Sequence, residues 1–219
     1  MGQQQLTGKF ITFEGLDGSG LTEQVELLKT WLRNSQYDMH KVEFTHEPSE
    51  GPVGLLLRMT LQGRLDMDEE ALALLFAADR QDHLSRFIQP RLEAGINVVS
   101  DRYYLSFYAY QTAQGLSLDW LRQVGSQWRR PDLAIFLDTP LEQCWQNIES
   151  RFTQERYERK LEKLGEIVWV FRKLIRTLLN EGEQIATVDG RGSGQQVHQR
   201  VLPLVAPLFG LGEVNGHGR

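Results

Sequence analysis

The sequence predicts an α/β fold in three layers, a five-stranded parallel sheet with helices on both faces. Three observations carry this. Five short apolar segments (Phe10–Glu14, Val42–His46, Ile96–Ser100, Leu133–Leu137 and Ile185–Val188) alternate with stretches of helical periodicity, and a helix is the usual crossover between parallel strands. The run Ile96–Ser100 is nearly all apolar, as a central strand covered on both faces requires. Finally, Phe10–Glu14 runs straight into Gly15, Gly18 and Gly20, and a helical pattern starts at Leu21.

That last stretch reads as a phosphate-binding P-loop, in which backbone N–H groups and a helix N-terminus wrap a polyphosphate. The motif G-x-x-x-x-G-K-[ST] is matched at Gly15, Gly20 and Thr22, with Leu16, Asp17, Gly18 and Ser19 between the glycines, but Leu21 holds the lysine position. Leu21 also opens the apolar stripe Leu21, Val25, Leu28 and Leu32 of the first helix. A core contact and a functional adaptation are both open readings of it.

The remaining elements follow in order. Strand two ends in Glu47-Pro48, where Pro48 cannot donate to a ladder. Gly51-Pro52 is turn chemistry before a short helix over Val53–Leu61. Asp68 suits the N-cap of a long helix running to Glu93, which Pro90 should kink or break. Strand three leads into Asp101-Arg102-Tyr103, then helices over Leu105–Thr112 and Leu118–Trp128. Arg130-Pro131-Asp132 turns the chain into strand four, and a helix over Leu141–Glu149 follows. A mobile, arginine-rich segment about 150–160 precedes an amphipathic helix over Leu161–Leu179. Strand five passes through Asp189-Gly190 to a last helix over Gln195–Phe209, and residues 212–219 form a polar tail. No repeat or linker divides the 219 residues, so one domain is expected.

Composition narrows the function classes. A net charge of −5 argues against a nucleic-acid polymer as partner, so phosphate binding must come from locally grouped cations. Cys144 is the single cysteine, and the five histidines show no ligand spacing, which excludes an internal disulfide and a Cys/His metal cluster. No apolar run approaches ~18 residues and Met1–Gly8 lacks signal-peptide character, so a cytoplasmic protein without membrane attachment is expected.

In such sheets ligands bind beyond the carboxyl ends of the strands. That rule gathers Gly15–Thr22, Glu47-Pro48, Asp101-Arg102 and Asp189–Gly194 at one edge. Phosphoryl transfer needs positioning and positive charge rather than covalent work. Thr22 offers the hydroxyl that binds Mg²⁺ in P-loops, and Asp101 a carboxylate for the metal's waters or, alternatively, a helix cap. Arg58, Arg80, Arg102, Arg151, Arg156 and Arg159 are candidate phosphate ligands, because a planar fork binds phosphate at two points. Phe76 and Arg80, four apart, share a helix face on which a base could be stacked and hydrogen-bonded, although a core position is the commoner use of a phenylalanine.

These motifs together resemble the thymidylate kinase family from Phe10 to about Leu208. The resemblance is carried by Phe13–Gly20, Glu47-Pro48, Leu74–Arg80, Asp101-Arg102-Tyr103 with Ala109-Tyr110-Gln111, Glu155–Glu158 and Val188-Asp189-Gly190. It implies ATP:dTMP phosphotransfer with Mg²⁺, nucleotide partners (ATP and dTMP), and usually a homodimer. It further implies that Phe76 stacks on thymine and Arg80 hydrogen-bonds it. Asp17 and Tyr110 would lie near the sugar and Gln111 near the base. Arg102 would bridge the phosphates, Arg58 would touch the acceptor phosphate, Asp101 would support Mg²⁺, and Asp189-Gly190 would form the adenine loop. Arg151 and Arg156 would close over ATP from a lid.

Three positions depart from the family pattern: Leu21, His46 in place of an arginine, and Ser49-Glu50-Gly51-Pro52 in place of a Gly-Gly-Thr turn. Loss of one preorganised donor costs about 3–4 kcal/mol, or 10²–10³ in rate, against ~8–23 kcal/mol for whole enzymes. A slow kinase is therefore expected unless Arg151, Arg156 or Lys9 substitutes. The alternatives are a nucleotide-binding protein with little catalysis and a kinase for another pyrimidine monophosphate.

Overall fold

A computed structural model describes residues 7–148 and 157–212, the side chains of 157–161 excepted. Five strands, β1 (Phe10–Gly15), β2 (Val42–His46), β3 (Asn97–Asp101), β4 (Leu133–Asp138) and β5 (Ile185–Asp189), form one sheet in the order β2-β3-β1-β4-β5. Every pairing is parallel. Period-2 alternation sends β1 to two cores: Phe10 joins Val98, Ala134 and Phe136 on one face, while Ile11 and Phe13 join Val99, Ile135 and Leu137 on the other.

Helices α1 (Leu21–Asn34) and α9 (Gly194–Val205) cover the second face. The 3.6-residue period puts Leu21, Val25, Leu28 and Leu32 on one stripe, packed with Val197, Val201 and Val205. The first face is covered by α3 (Glu69–His83), α5 (Tyr104–Ala113), α7 (Leu141–Ile148) and α8 (Tyr157–Asn180). Helix α5 is apolar almost all round, with Tyr104, Leu105, Phe107, Tyr108 and Ala109 buried, and it lies against both the sheet and α8. The short helices α2 (Pro52–Leu61), α4 (Gln89–Glu93) and α6 (Leu118–Val124) complete the chain.

Three expectations change. The helix capped by Asp68, which accepts from Ala71 N at 2.7 Å, runs on to Glu93 as expected, but its α-helical ladder is interrupted after His83. A wide π-type turn over Leu84–Ile88 then precedes α4, with Pro90 in its first turn. The register changes ahead of the proline, which thereby occupies a position needing no N–H donor. The helix expected to reach Trp128 stops at Val124, where Gly125 lies against the Trp128 and Tyr108 rings. Strand three starts one residue later than the apolar run and includes Asp101. Segment 149–156, with Arg151 and Arg156, and residues 213–219 lie outside the described residues.

Leu21 is only 5% exposed. Truncating a buried leucine removes transfer free energy and leaves a cavity. Leu21→Ala is therefore expected to lower unfolding stability by about 2–4 kcal/mol, read from urea denaturation midpoints.

Candidate active site

The parallel register lines up Gly15, His46, Asp101, Asp138 and Asp189 at the carboxyl edge. The loop after β1 turns through Gly18 (φ 80°) and Gly20 (φ 93°). A Cβ on Gly18 would stand 2.2 Å from the Cys144 carbonyl oxygen, so glycine is required there. The loop is braced internally by Ser19 Oγ donating to Leu16 O (2.7 Å) and externally by Asn147 Nδ2 donating to Gly18 O (2.7 Å) and Thr139 Oγ1 to Ser19 O (3.0 Å). Gly20 caps α1 without a side-chain acceptor, leaving the helix's first N–H groups for an anion. Leu21 turns into the α1/α9 core, which is the core-contact reading of that residue.

Thr22 Oγ1 donates to Asp101 Oδ2 at 2.7 Å, so the hydroxyl and carboxylate named as metal ligands are brought together. Their oxygen-only chemistry fits Mg²⁺, which keeps waters and phosphate oxygens and needs few protein ligands. No cluster of three or more His, Cys, Asp or Glu is found among the described residues.

Arg102 has φ 72°, rare for a residue with a side chain, and its N–H donates to Phe13 O at 2.8 Å. This backbone turn aims the guanidinium back across the phosphate loop. Nη1 donates to Gly15 O (2.9 Å) and Nη2 to Asp17 Oδ1 (2.7 Å), while the Tyr110 hydroxyl meets the same carboxylate at 3.1 Å and accepts from Asp17 N at 3.0 Å. Burial opposes the Arg102 charge, but the Coulombic field of Tyr110, Asp17, Asp101 and Glu14 overcomes it and raises the group above its ordinary value. The cleft around these residues has a volume of about 690 Å³ and also takes in His46 and Lys29. Lys9 does not reach it: Lys9 pairs with Asp132 (3.1 Å), and it adjoins the amino end of β1, the opposite edge of the sheet.

Beyond β2, Glu47 joins Pro48 through a cis peptide bond and Ser49 is held by Asp79 through N (2.7 Å) and Oγ (2.5 Å). Arg58 donates to Ser49 O at 2.5 Å. Glu50 sets one oxygen on His46 Nε2 (3.0 Å) and the other near Arg58 Nη2 (3.4 Å), so this added carboxylate offsets the Arg58 charge beside the loop.

A second cavity of about 220 Å³ is lined by Asp17, Pro48, Phe76, Arg80, Tyr110 and Gln111, together with Arg102, Glu47, Ser106 and Phe107. Phe76 and Arg80 do share one face, and both reach this space. Arg80 is buried between the rings of Trp128 (4.6 Å), Tyr103 (5.0 Å) and Phe107 (5.2 Å). Its Nε and Nη2 donate to Glu47 Oε2 and Nη2 also to Tyr103 O, while Nη1 has no partner. Gln111 Oε1 is likewise buried and unpartnered.

On the far side of the loop, Asp138, Leu141, Val168, Arg172, Asp189 and Arg191 line a cavity of about 770 Å³. Gly190 fits only as glycine, since a Cβ would lie 1.9 Å from Thr139 Oγ1. Asp189 accepts from Arg191 Nε and N, which hold its carboxyl down at about 2.

Sequence reasoning missed Glu14, Ser106, Asp79 and His83. Glu14 reads as the end of a strand, yet it is fully buried and accepts from Leu105 N (3.2 Å), Ser106 N (2.9 Å) and Ser106 Oγ (2.6 Å). It thus caps α5, the helix that carries Tyr110 and Gln111, from another element. The one available signal was a charged residue inside an otherwise apolar strand.

The thymidylate kinase family profile matches residues 13–201. Curated relatives named "Probable thymidylate kinase" include one from Pyrococcus abyssi, 37% identical and covering 94% of this chain and 100% of its own, and one from Pyrococcus horikoshii, 38% identical over the same shares. A protein named "Thymidylate kinase" from Desulfotalea psychrophila is 36% identical, over 76% of this chain and 82% of its own.

Burial raises the Glu14 carboxyl from 4.5 to about 6, with the Ser106 hydrogen bonds opposing. A carboxyl pKa raised on folding adds stability below its unfolded value and loses that contribution as pH rises through about 6. Between roughly pH 4.5 and pH 7.5 this loss is expected to be about 1.5 kcal/mol. Glu14→Gln should lack it, which denaturation of parent and variant at the two pH values measures.

Proposed function

The chain belongs to the thymidylate kinase family, and from that premise we propose that it transfers the γ-phosphoryl group of ATP to a phosphate oxygen of dTMP, giving dTDP and ADP. The observation that carries this reading is the Phe76 cavity, which Arg80 and Gln111 both line, each residue keeping one buried polar atom, Arg80 Nη1 and Gln111 Oε1, without a partner. Arginine can only donate, and the Gln111 carbonyl oxygen can only accept. A base edge that presents a carbonyl beside an N–H, as thymine does, satisfies both. Cytosine placed in the same register sets an amino group against the Arg80 donor and a bare ring nitrogen against the Gln111 oxygen, so both contacts are mismatched.

Phe76 stacks on the base, and Asp17 with Tyr110 meets the sugar. Arg102 and Arg58 take the acceptor phosphate beside Glu47-Pro48. Gly15–Thr22 cradles the donor phosphates and Asp189-Gly190 borders the adenine. Arg151 and Arg156 belong to the same reading as a lid over ATP within a single domain. Thr22 and Asp101 would hold Mg²⁺, which when bound neutralises charge on the donor phosphates. A homodimer and a cytoplasmic location complete it; among the described residues no helix is long and apolar enough to cross a membrane.

The burial of Leu21 favours a second reading, nucleotide binding with little turnover, because one cation expected at the transferring phosphoryl group is replaced by a core side chain. Purified protein with ATP, Mg²⁺ and dTMP separates the two. The first reading expects dTDP, with turnover reduced about 10²–10³-fold in Arg102→Ala. The second expects none from the parent and dTDP only from Leu21→Lys. Turnover of dUMP in preference to dTMP would move the assignment to another pyrimidine monophosphate.

A further inference from the structure

Arg80 offers the base its Nη1, so the direction of that nitrogen decides which base fits. An arginine–carboxylate pair is usually fixed by two parallel bonds, one to each oxygen. Here the pair is different: both Nε (2.7 Å) and Nη2 of Arg80 converge on a single oxygen, Glu47 Oε2. Nη2 has a second acceptor in Tyr103 O (3.0 Å), so the direction of the fork depends on where Glu47 sets Oε2. A carboxylate held at one oxygen alone can shift that atom by turning about its own side-chain bonds. The second oxygen, Oε1, meets His83 Nδ1 at 3.3 Å, and His83 Nε2 meets Thr45 Oγ1 at 2.8 Å. Glu47, Arg80 and His83 are all buried. The His83 ring is also packed against Phe87, at 5.5 Å between centroids.

The proton positions follow from the donor inventory. A carboxylate oxygen only accepts, so the Nδ1 that faces Glu47 Oε1 is assigned the hydrogen, and in that tautomer Nε2 accepts from the Thr45 hydroxyl. The chain Thr45–His83–Glu47–Arg80 runs from β2 across to α3 and ends on Arg80, which lines the Phe76 cavity and whose Nη1 has no partner.

We propose that His83, which touches no substrate, is a positioning residue: it locks the Glu47 carboxylate through Nδ1 and thereby sets the Arg80 fork that selects the acceptor's pyrimidine. This rests on the dTMP reading given above. Residues His83, Glu47 and Arg80 span two elements, and α3 places Phe76, Arg80 and His83 at i, i+4 and i+7 on one face. The stacking ring, the reading fork and its brace therefore share one rigid support.

Two variants of similar size separate positioning from simple packing. His83→Asn puts its amide nitrogen near the place of Nδ1, whereas His83→Gln puts it near Nε2. Equilibrium binding of dTMP, dUMP, dCMP and ATP is measured for the parent, both variants and Thr45→Val, with folding checked by thermal denaturation. We expect His83→Gln to weaken dTMP about tenfold or more and to shrink its margin over dCMP, with ATP binding unchanged. His83→Asn should restore most of the margin, and Thr45→Val should lose part of it. Equal losses in the Asn and Gln variants, or parallel losses of ATP and dTMP, would overturn the proposal in favour of a packing role. Unaltered binding in every variant would overturn it outright. A parent that shows no preference for dTMP or dUMP over dCMP removes the dTMP reading itself, and the inference with it. A selective parent with unaffected variants removes the inference alone.

Discussion

The guanidinium of Arg102 lies between the Gly15 carbonyl and the Asp17 carboxylate, and the two halves of the site depend on that contact. Its backbone, at φ 72°, carries a strain of order 1–3 kcal/mol that the hydrogen bond to Phe13 and the packed β1–β3 register hold in place. Without that turn the side chain would follow the strand direction and leave the phosphate loop. With it, one cation touches the glycine-rich loop after β1, faces Tyr110 on α5, and lines both the cleft over that loop and the Phe76 cavity.

The fixed charges around it are arranged in balanced groups. Arg80 and Glu47 form a buried pair; such pairs add little net stability but are costly to break on one side. Their retention under the base cavity fits a demand for orientation rather than for stability. Glu14 is the opposite case, a buried carboxylate satisfied by the amino end of α5 and the Ser106 hydroxyl rather than by a direct ion pair. In the loop after β2, Glu50 meets His46 with one oxygen and offsets Arg58 with the other. The loop after β2 therefore carries a carboxylate against its nearby arginine, and the lysine position of the P-loop motif holds the buried Leu21.

Much of this was legible in the sequence. Period-2 and 3.6-residue patterning located five strands and most helices, and glycine spacing located the phosphate loop. Pairing Thr22 with Asp101, and Phe76 with Arg80, followed from motif spacing and the rule that ligands gather at strand ends. Lys9 was misread as a possible substitute cation because proximity in sequence to Gly15 hides the length of β1, which carries Lys9 to the opposite edge. Pro90 marked a disturbance correctly but not its position, since the helix adjusts in the turn before it.

Local pattern alone determined the fold class, the phosphate-binding loop and the residue types gathered at one sheet edge, because backbone periodicity and glycine requirements act within a few residues. The tertiary structure decided which donors stay unpaired. That Arg80 spends two nitrogens on one oxygen of Glu47, that His83 holds the other, and that Glu14 caps a helix more than ninety residues away depend on contacts between distant segments. Hydrogen-bond saturation is a property of the packed arrangement, and no residue's identity fixes it in advance.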